Sequence, residues 1–65
     1  MMGKIRRGGY QFVTWIGDHA PRHVHIYDGK KFIAKWNLER NEVIVGSVNR
    51  KIVKIIKDLQ KERLL

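Results

Sequence analysis

The stretch RHVHIYDGKKFIAKW (residues 22–36) reads as two strands around a tight turn, and the turn fixes which of its side chains share a face. Residues 22–27 alternate strictly between polar and apolar, the period of a half-buried strand, and residues 30–36 alternate in part. A three-residue loop of Tyr27, Asp28 and Gly29 would hold Gly29 in the left-handed third position and close Ile26 against Lys30. Val24 then faces Phe32 and Arg22 faces Ala34, so apolar residues stay together. A two-residue loop at Asp28-Gly29 would instead set Val24 beside Ile33 but His25 beside Phe32, mixing the faces. Because a one-residue slip carries a whole strand to the other side of the sheet, the three-residue loop is the expectation.

That register predicts a core face of Val24, Ile26, Phe32, Ala34, Trp36, Leu38 and Ile44. His23 and His25 point to the other side, with Lys31 opposite His25 and Lys35 further along the same strand. Upstream, YQFVTWI (10–16) is rich in aromatic and β-branched residues behind a Gly-Gly break and reads as a strand. Downstream, residues 42–46 form a short apolar strand, and Asn41 in LERNE suits a left-handed turn position that closes Leu38 against Glu42. Trp15 and Trp36 read as core residues rather than stacking platforms for bases.

A helix follows over about residues 48–64, with Ser47 or Asn49 as its cap. Val48, Ile52, Ile55, Ile56 and Leu59 recur at helical spacing and would cover the apolar side of the sheet. Arg50, Lys54, Lys57 and Lys61 line up as a basic stripe, which is either a solvated face or a surface for an anionic partner. The expected architecture is α+β: one domain spanning residues 1–65, an antiparallel sheet of three or four strands, and one C-terminal helix packed on one face.

Bulk composition narrows the function classes. Fourteen Lys and Arg against six Asp and Glu leave a net charge of +8 and a pI near 10.3. Such a field attracts polyanions, nucleic acid first, and anionic lipid headgroups or an acidic protein second. There is no cysteine, so neither a disulfide nor a thiolate metal site can staple the chain. A chain this short buries only about 60% of its unfolded surface and gains from a partner, so self-association stays open as well. No run approaches the ~20 apolar residues of a membrane span. MMGKIRRGG has charge but no apolar stretch behind it, so the expectation is a cytoplasmic protein without a secretory signal and without membrane association. GSVNRK lacks the glycine spacing of a phosphate-binding loop.

All three histidines, His19, His23 and His25, fall within seven positions around the only proline, Pro21. Three chemistries compete for them. His-x-His on a strand puts two imidazoles on one face, and His19 could complete a zinc triad. A divalent cation would then enter a positive neighbourhood, with Asp18 and Asp28 the nearby carboxylates. Acid–base chemistry on a phosphodiester suits the charge better: one imidazole takes the ribose 2′-OH proton and another protonates the leaving oxygen. Arg22, Lys31 and Lys35 would contact phosphate there, with Lys54, Lys57 and Lys61 as a second nucleic-acid-binding set on the helix. The third reading makes His23 and His25 polar residues on an outward strand face, with no chemistry at all.

The segment GDHAPRHVHIYDGKKFIAKWNL resembles the signature of a small prokaryotic family known as domain of unknown function 4160. The match is carried by Asp18, His19, Pro21, His23, Val24 and His25, and then Ala34. Members commonly run on past the helix, where this sequence reads Leu64-Leu65. The resemblance implies a toxin–antitoxin-like gene pair with the basic protein as toxin and an acidic antitoxin-like partner over its histidine face. It also implies that His19, His23 and His25 act as a set. The resulting expectation is a small RNA-directed toxin, a metal-independent endoribonuclease (a hydrolase in class) that needs no cofactor and no metal, with those histidines as its catalytic residues. The rival is a non-catalytic module that binds nucleic acid or a protein partner by charge; a histidine metal site is the third reading.

Overall fold

Five strands precede one helix: β1 (Met2–Arg7), β2 (Tyr10–Trp15), β3 (His23–Asp28), β4 (Lys31–Asn37), β5 (Glu42–Gly46) and α1 (Arg50–Lys61). The computed structural model describes residues 2–15 and 22–65. The strands form a single antiparallel sheet in sequence order, β1-β2-β3-β4-β5. The α+β class with a helix over one face is as expected, but the sheet has five strands where three or four were predicted.

The additional strand is β1. Its six residues include only Met2 and Ile5 as apolar side chains, so it lacks the apolar density that marks a strand. It is built by its turn. Gly8 and Gly9 both have positive φ, 63° and 86°, the backbone that a type I′ hairpin demands. The turn pairs Arg7 with Tyr10 and runs in register to Met2 opposite Trp15.

The β3–β4 hairpin corrects the expected register. Its turn is Gly29-Lys30, closing Asp28 against Lys31, and Gly29 carries the positive φ of 62°. Tyr27 pairs with Phe32, and Ile26 pairs with Ala34, so Ile33 is an extra residue that bulges out of the ladder. Val24 therefore faces Trp36 rather than Phe32. The bulge reverses the alternation, so Phe32 leaves the core face and is 42% exposed. A second irregularity lies in β5, where Trp36 pairs with Val43 and Lys35 with Val45. Ile44 is the surplus residue there and is 43% exposed, which removes it from the predicted core. Asn41 takes the left-handed position at φ 54°, but the loop closes Asn37, not Leu38, against Glu42. Asn37 is buried, and its Oδ1 accepts the backbone N–H groups of Glu39 and Arg40, each at 2.9 Å, which satisfies the side chain and sets the turn.

The core lies between helix and sheet. Phe12, Val24, Ile26, Ala34, Trp36 and Leu38 meet Ile52, Ile55, Ile56 and Leu59, with Ile5, Tyr10, Ile33, Val48 and Val53 at the margin. Asn49, not Ser47, caps α1: its Oδ1 accepts from Ile52 N at 2.8 Å. The helix ends earlier than predicted, because Arg63 takes a left-handed φ of 61°. Arg63 N–H then donates to Gln60 O and Leu64 N–H to Leu59 O, a Schellman closure without glycine. Lys51 Nζ sits 5.5 Å above the Tyr10 ring, and Arg7 forms an ion pair with Glu62 that includes an Nη2–Oε1 bond of 2.9 Å. On the opposite flank Gln60 Nε2 donates to Asn41 Oδ1 at 3.1 Å, tying α1 to the β4–β5 loop.

Candidate functional site

The helix covers one side of the sheet, and the other side carries the histidines. Register alone assembles its rows. Lys4, Val13, His25, Lys35 and Val45 stand opposite one another across all five strands. One step toward the hairpin ends, Arg6, Gln11, Tyr27 and Phe32 form a second row. Neither of these rows contains a carboxylate, and Lys4, Arg6 and Lys35 make them positive; the row of His23 runs through Asn37 to Glu42 and carries the opposite charge at its end.

Within those rows the rings make a connected patch. His23 and His25 meet edge to face, with centroids 5.2 Å apart and planes at 85°. His25 lies 6.3 Å from the Phe32 ring, and Phe32 lies 5.7 Å from Tyr27 at 72°. His23, His25, Tyr27 and Lys35 are half-buried, whereas Phe32, Lys4 and Arg6 are exposed. Val13, which pairs with His25, is buried although it stands outside the helix-side core. A half-buried imidazole between an aromatic ring and a lysine can exchange protons with a ligand while its orientation stays fixed by packing.

The predicted site residues part company here. His23, His25 and Lys35 come together, and Lys35 is directly opposite His25, the place predicted for Lys31. Lys31 instead pairs with Asp28 at the end of the hairpin, because the turn is shorter than expected. Arg22 is exposed at the entry to β3, where its backbone N–H donates to Glu39 Oε2 at 3.2 Å. Lys54, Lys57 and Lys61 are exposed on α1, the layer that covers the opposite side of the sheet, so they form a separate basic surface. His19, Asp18 and Pro21 lie outside the described residues, as does the side chain of Trp15. Among the described residues no three His, Cys, Asp or Glu side chains are grouped to hold a metal ion.

Sequence reasoning missed Phe32, Lys4, Arg6 and Val13 as members of this face. The signal for Lys4 and Arg6 was present: Gly8-Gly9 is a hairpin turn pair, and Lys4-Ile5-Arg6 alternates behind it. Phe32 carried no such signal, since its side depends on the bulge at Ile33.

Fold and site together define a small basic α+β protein that presents a histidine- and aromatic-bearing sheet face opposite its only described helix. The family model for Domain of unknown function (DUF4160) matches residues 9–64, and the chain belongs to that family. The match starts after β1 and takes in both histidines of the ring patch. No curated protein and no solved structure matches the chain. No helix among the described residues is long and apolar enough to cross a membrane.

Proposed function

We propose that this protein acts on RNA through its histidine-bearing sheet face, as a metal-independent endoribonuclease of the kind that serves as the toxin of a toxin–antitoxin pair. The observation that carries this reading is the His23–His25 ring contact at 5.2 Å with Lys35 directly across from His25. Two imidazoles with centroids 5.2 Å apart can serve one phosphodiester, and because His25 Nδ1 is buried its Nε2 is the nitrogen that would do so. One imidazole accepts the ribose 2′-OH proton as the O2′–P bond forms. The P–O5′ bond breaks, and the second, protonated imidazole delivers its proton to the departing oxygen. The products are a 2′,3′-cyclic phosphate and a 5′-hydroxyl, and no water or metal takes part. Lys35 stabilises negative charge on the phosphoryl oxygens, and Phe32 with Tyr27 offers a stacking surface to an adjacent unpaired base. An acidic antitoxin-like protein is the partner that would silence such a charge field, and the cytoplasm is where its RNA substrate would be met.

A second reading rests on the same aromatics. Phe32 and Tyr27, flanked by Lys4 and Arg6, suffice to hold single-stranded RNA without cutting it. Incubation of the purified protein with single-stranded RNA in chelator separates the two. Cleavage to 2′,3′-cyclic phosphate ends, lost in both His23→Ala and His25→Ala while circular dichroism is unchanged, supports the nuclease. Cleavage that survives in both variants refutes the histidine mechanism. RNA that is bound but not cut leaves the binding module, whose affinity should fall steeply with salt and weaken on Lys35→Ala.

A further inference from the structure

The sheet has two edges, and the one at β5, though bulged at Ile44, is the apolar one. Exposed edges are normally blunted by charge, proline or brevity. Here the middle of the strand is Val43, Ile44 and Val45, at 41%, 43% and 52% exposure, and Glu42 is its only charged residue. Apolar residues also lie on the helix flank nearest this edge. Gln60 is bonded to the β4–β5 loop, so the flank of α1 that carries Val53 lies on the β5 side. Val48, Asn49, Arg50, Val53, Lys54 and Lys57 line an open cleft of about 440 Å³ along that flank. Arg50, Lys54 and Lys57 make half of its lining cationic, and the first turn of α1 holds no acidic residue to offset the positive end of the helix dipole.

Charge selects among the occupants of such an edge. A second copy pairing antiparallel through β5 would bring its helix to the same side of the continuous sheet. Arg50, Lys54 and Lys57 would then approach their own images, between chains that each carry +8. An acidic strand meets the opposite situation.

We propose that β5 accepts, as a sixth strand, an extended segment of a partner protein whose helix-side positions, every second residue, are apolar and acidic in turn. Main-chain bonds to β5 supply the pairing. The apolar side chains cover Val43, Val48 and Val53, and the carboxylates lie in the field of Arg50, Lys54 and Lys57. This surface is separate from the histidine face and does not depend on RNA cleavage.

The test is a titration of the full chain with a short synthetic peptide in which Val and Glu take turns at every second position, with Thr at the positions between, followed by amide NMR shifts. The expected result is movement of the Glu42–Gly46 amides and of Val53. Lys54→Glu with Lys57→Glu, both at exposed helix positions, should weaken binding by about tenfold or more. His25→Ala should bind as well as the natural chain, whether or not that variant cuts RNA. The proposal is overturned if β5 does not respond, or if the same peptide with Lys in place of Glu binds equally. It is also overturned if a short oligouridylate moves the β5 amides instead, or if the free protein sediments as a dimer that Val45→Lys disperses.

Discussion

The two edges of this sheet are made in opposite ways. β1 shows Lys4 and Arg6 to solvent, takes its shape from a Gly-Gly turn, and is tied to the end of α1 through Arg7 and Glu62. β5 shows Val43, Ile44 and Val45, bulges against β4, and ends in Gly46 at φ 81°. A charged edge repels further strands, whereas an apolar edge invites them. The family match covers β5 but begins beyond β1. The edge suited to pairing is therefore inside the matched span, and the guarded one is outside it.

The largest effect should come from Gly46→Ala. A Cβ there would stand 2.2 Å from the Ile33 carbonyl oxygen, and the left-handed φ adds strain of its own. A loss of about 2–4 kcal/mol in denaturant unfolding is expected, with the β5 amides losing protection from exchange first. An unchanged midpoint would show that the β4 and β5 backbones part to admit the methyl group without cost. Gly8→Ala tests the other edge. Its φ of 63° is equally left-handed, but the added Cβ would meet Ile55 Cδ1, a side-chain tip that can turn aside. About 1–2 kcal/mol is expected, confined to the β1–β2 hairpin. If Gly8→Ala costs more than Gly46→Ala, the ranking of the two edges is reversed.

The smallest effect belongs to Glu62→Gln. The bond from Arg7 holds the Glu62 carboxyl below the usual glutamate range, and desolvation opposes this in part. A depressed carboxyl stabilises the fold above its unfolded pKa and loses that contribution as pH falls through the folded value. The natural chain should therefore exceed Glu62→Gln slightly at neutral pH in low salt. The two should converge in acid and in high salt, as thermal melts across pH would show. A gap that persists in acid would assign the difference to packing instead.

What could be read from residues alone follows the strength of the period. β3 alternates strictly, so the common face of His23 and His25 was legible. Ile52, Ile55, Ile56 and Leu59 recur at helical spacing, so the buried face of α1 was too. The partner across from His25 was not legible, because an extra residue in β4 shows no local pattern. Lys31 and Lys35 look equivalent until Ile33 is known to bulge. β1 escaped notice since an edge strand can be charged along its outer side and still pair through its backbone. The absence of room for a side chain at Gly46 is set by the Ile33 carbonyl, a residue distant in sequence, which no window along the chain reveals.

The bulge at Ile33 also bears on how this chain tolerates changes of length. With residue 33 deleted, Tyr27 would still oppose Phe32 and Ile26 would still oppose Ala34, now as consecutive rungs of an ordinary ladder. Deleting Lys35 instead would exchange inside and outside for everything between it and the next irregularity. The same holds at Ile44, between Val43 and Val45. Two places in the sheet can thus give up a residue without turning the protein inside out, and they lie on the adjoining strands β4 and β5.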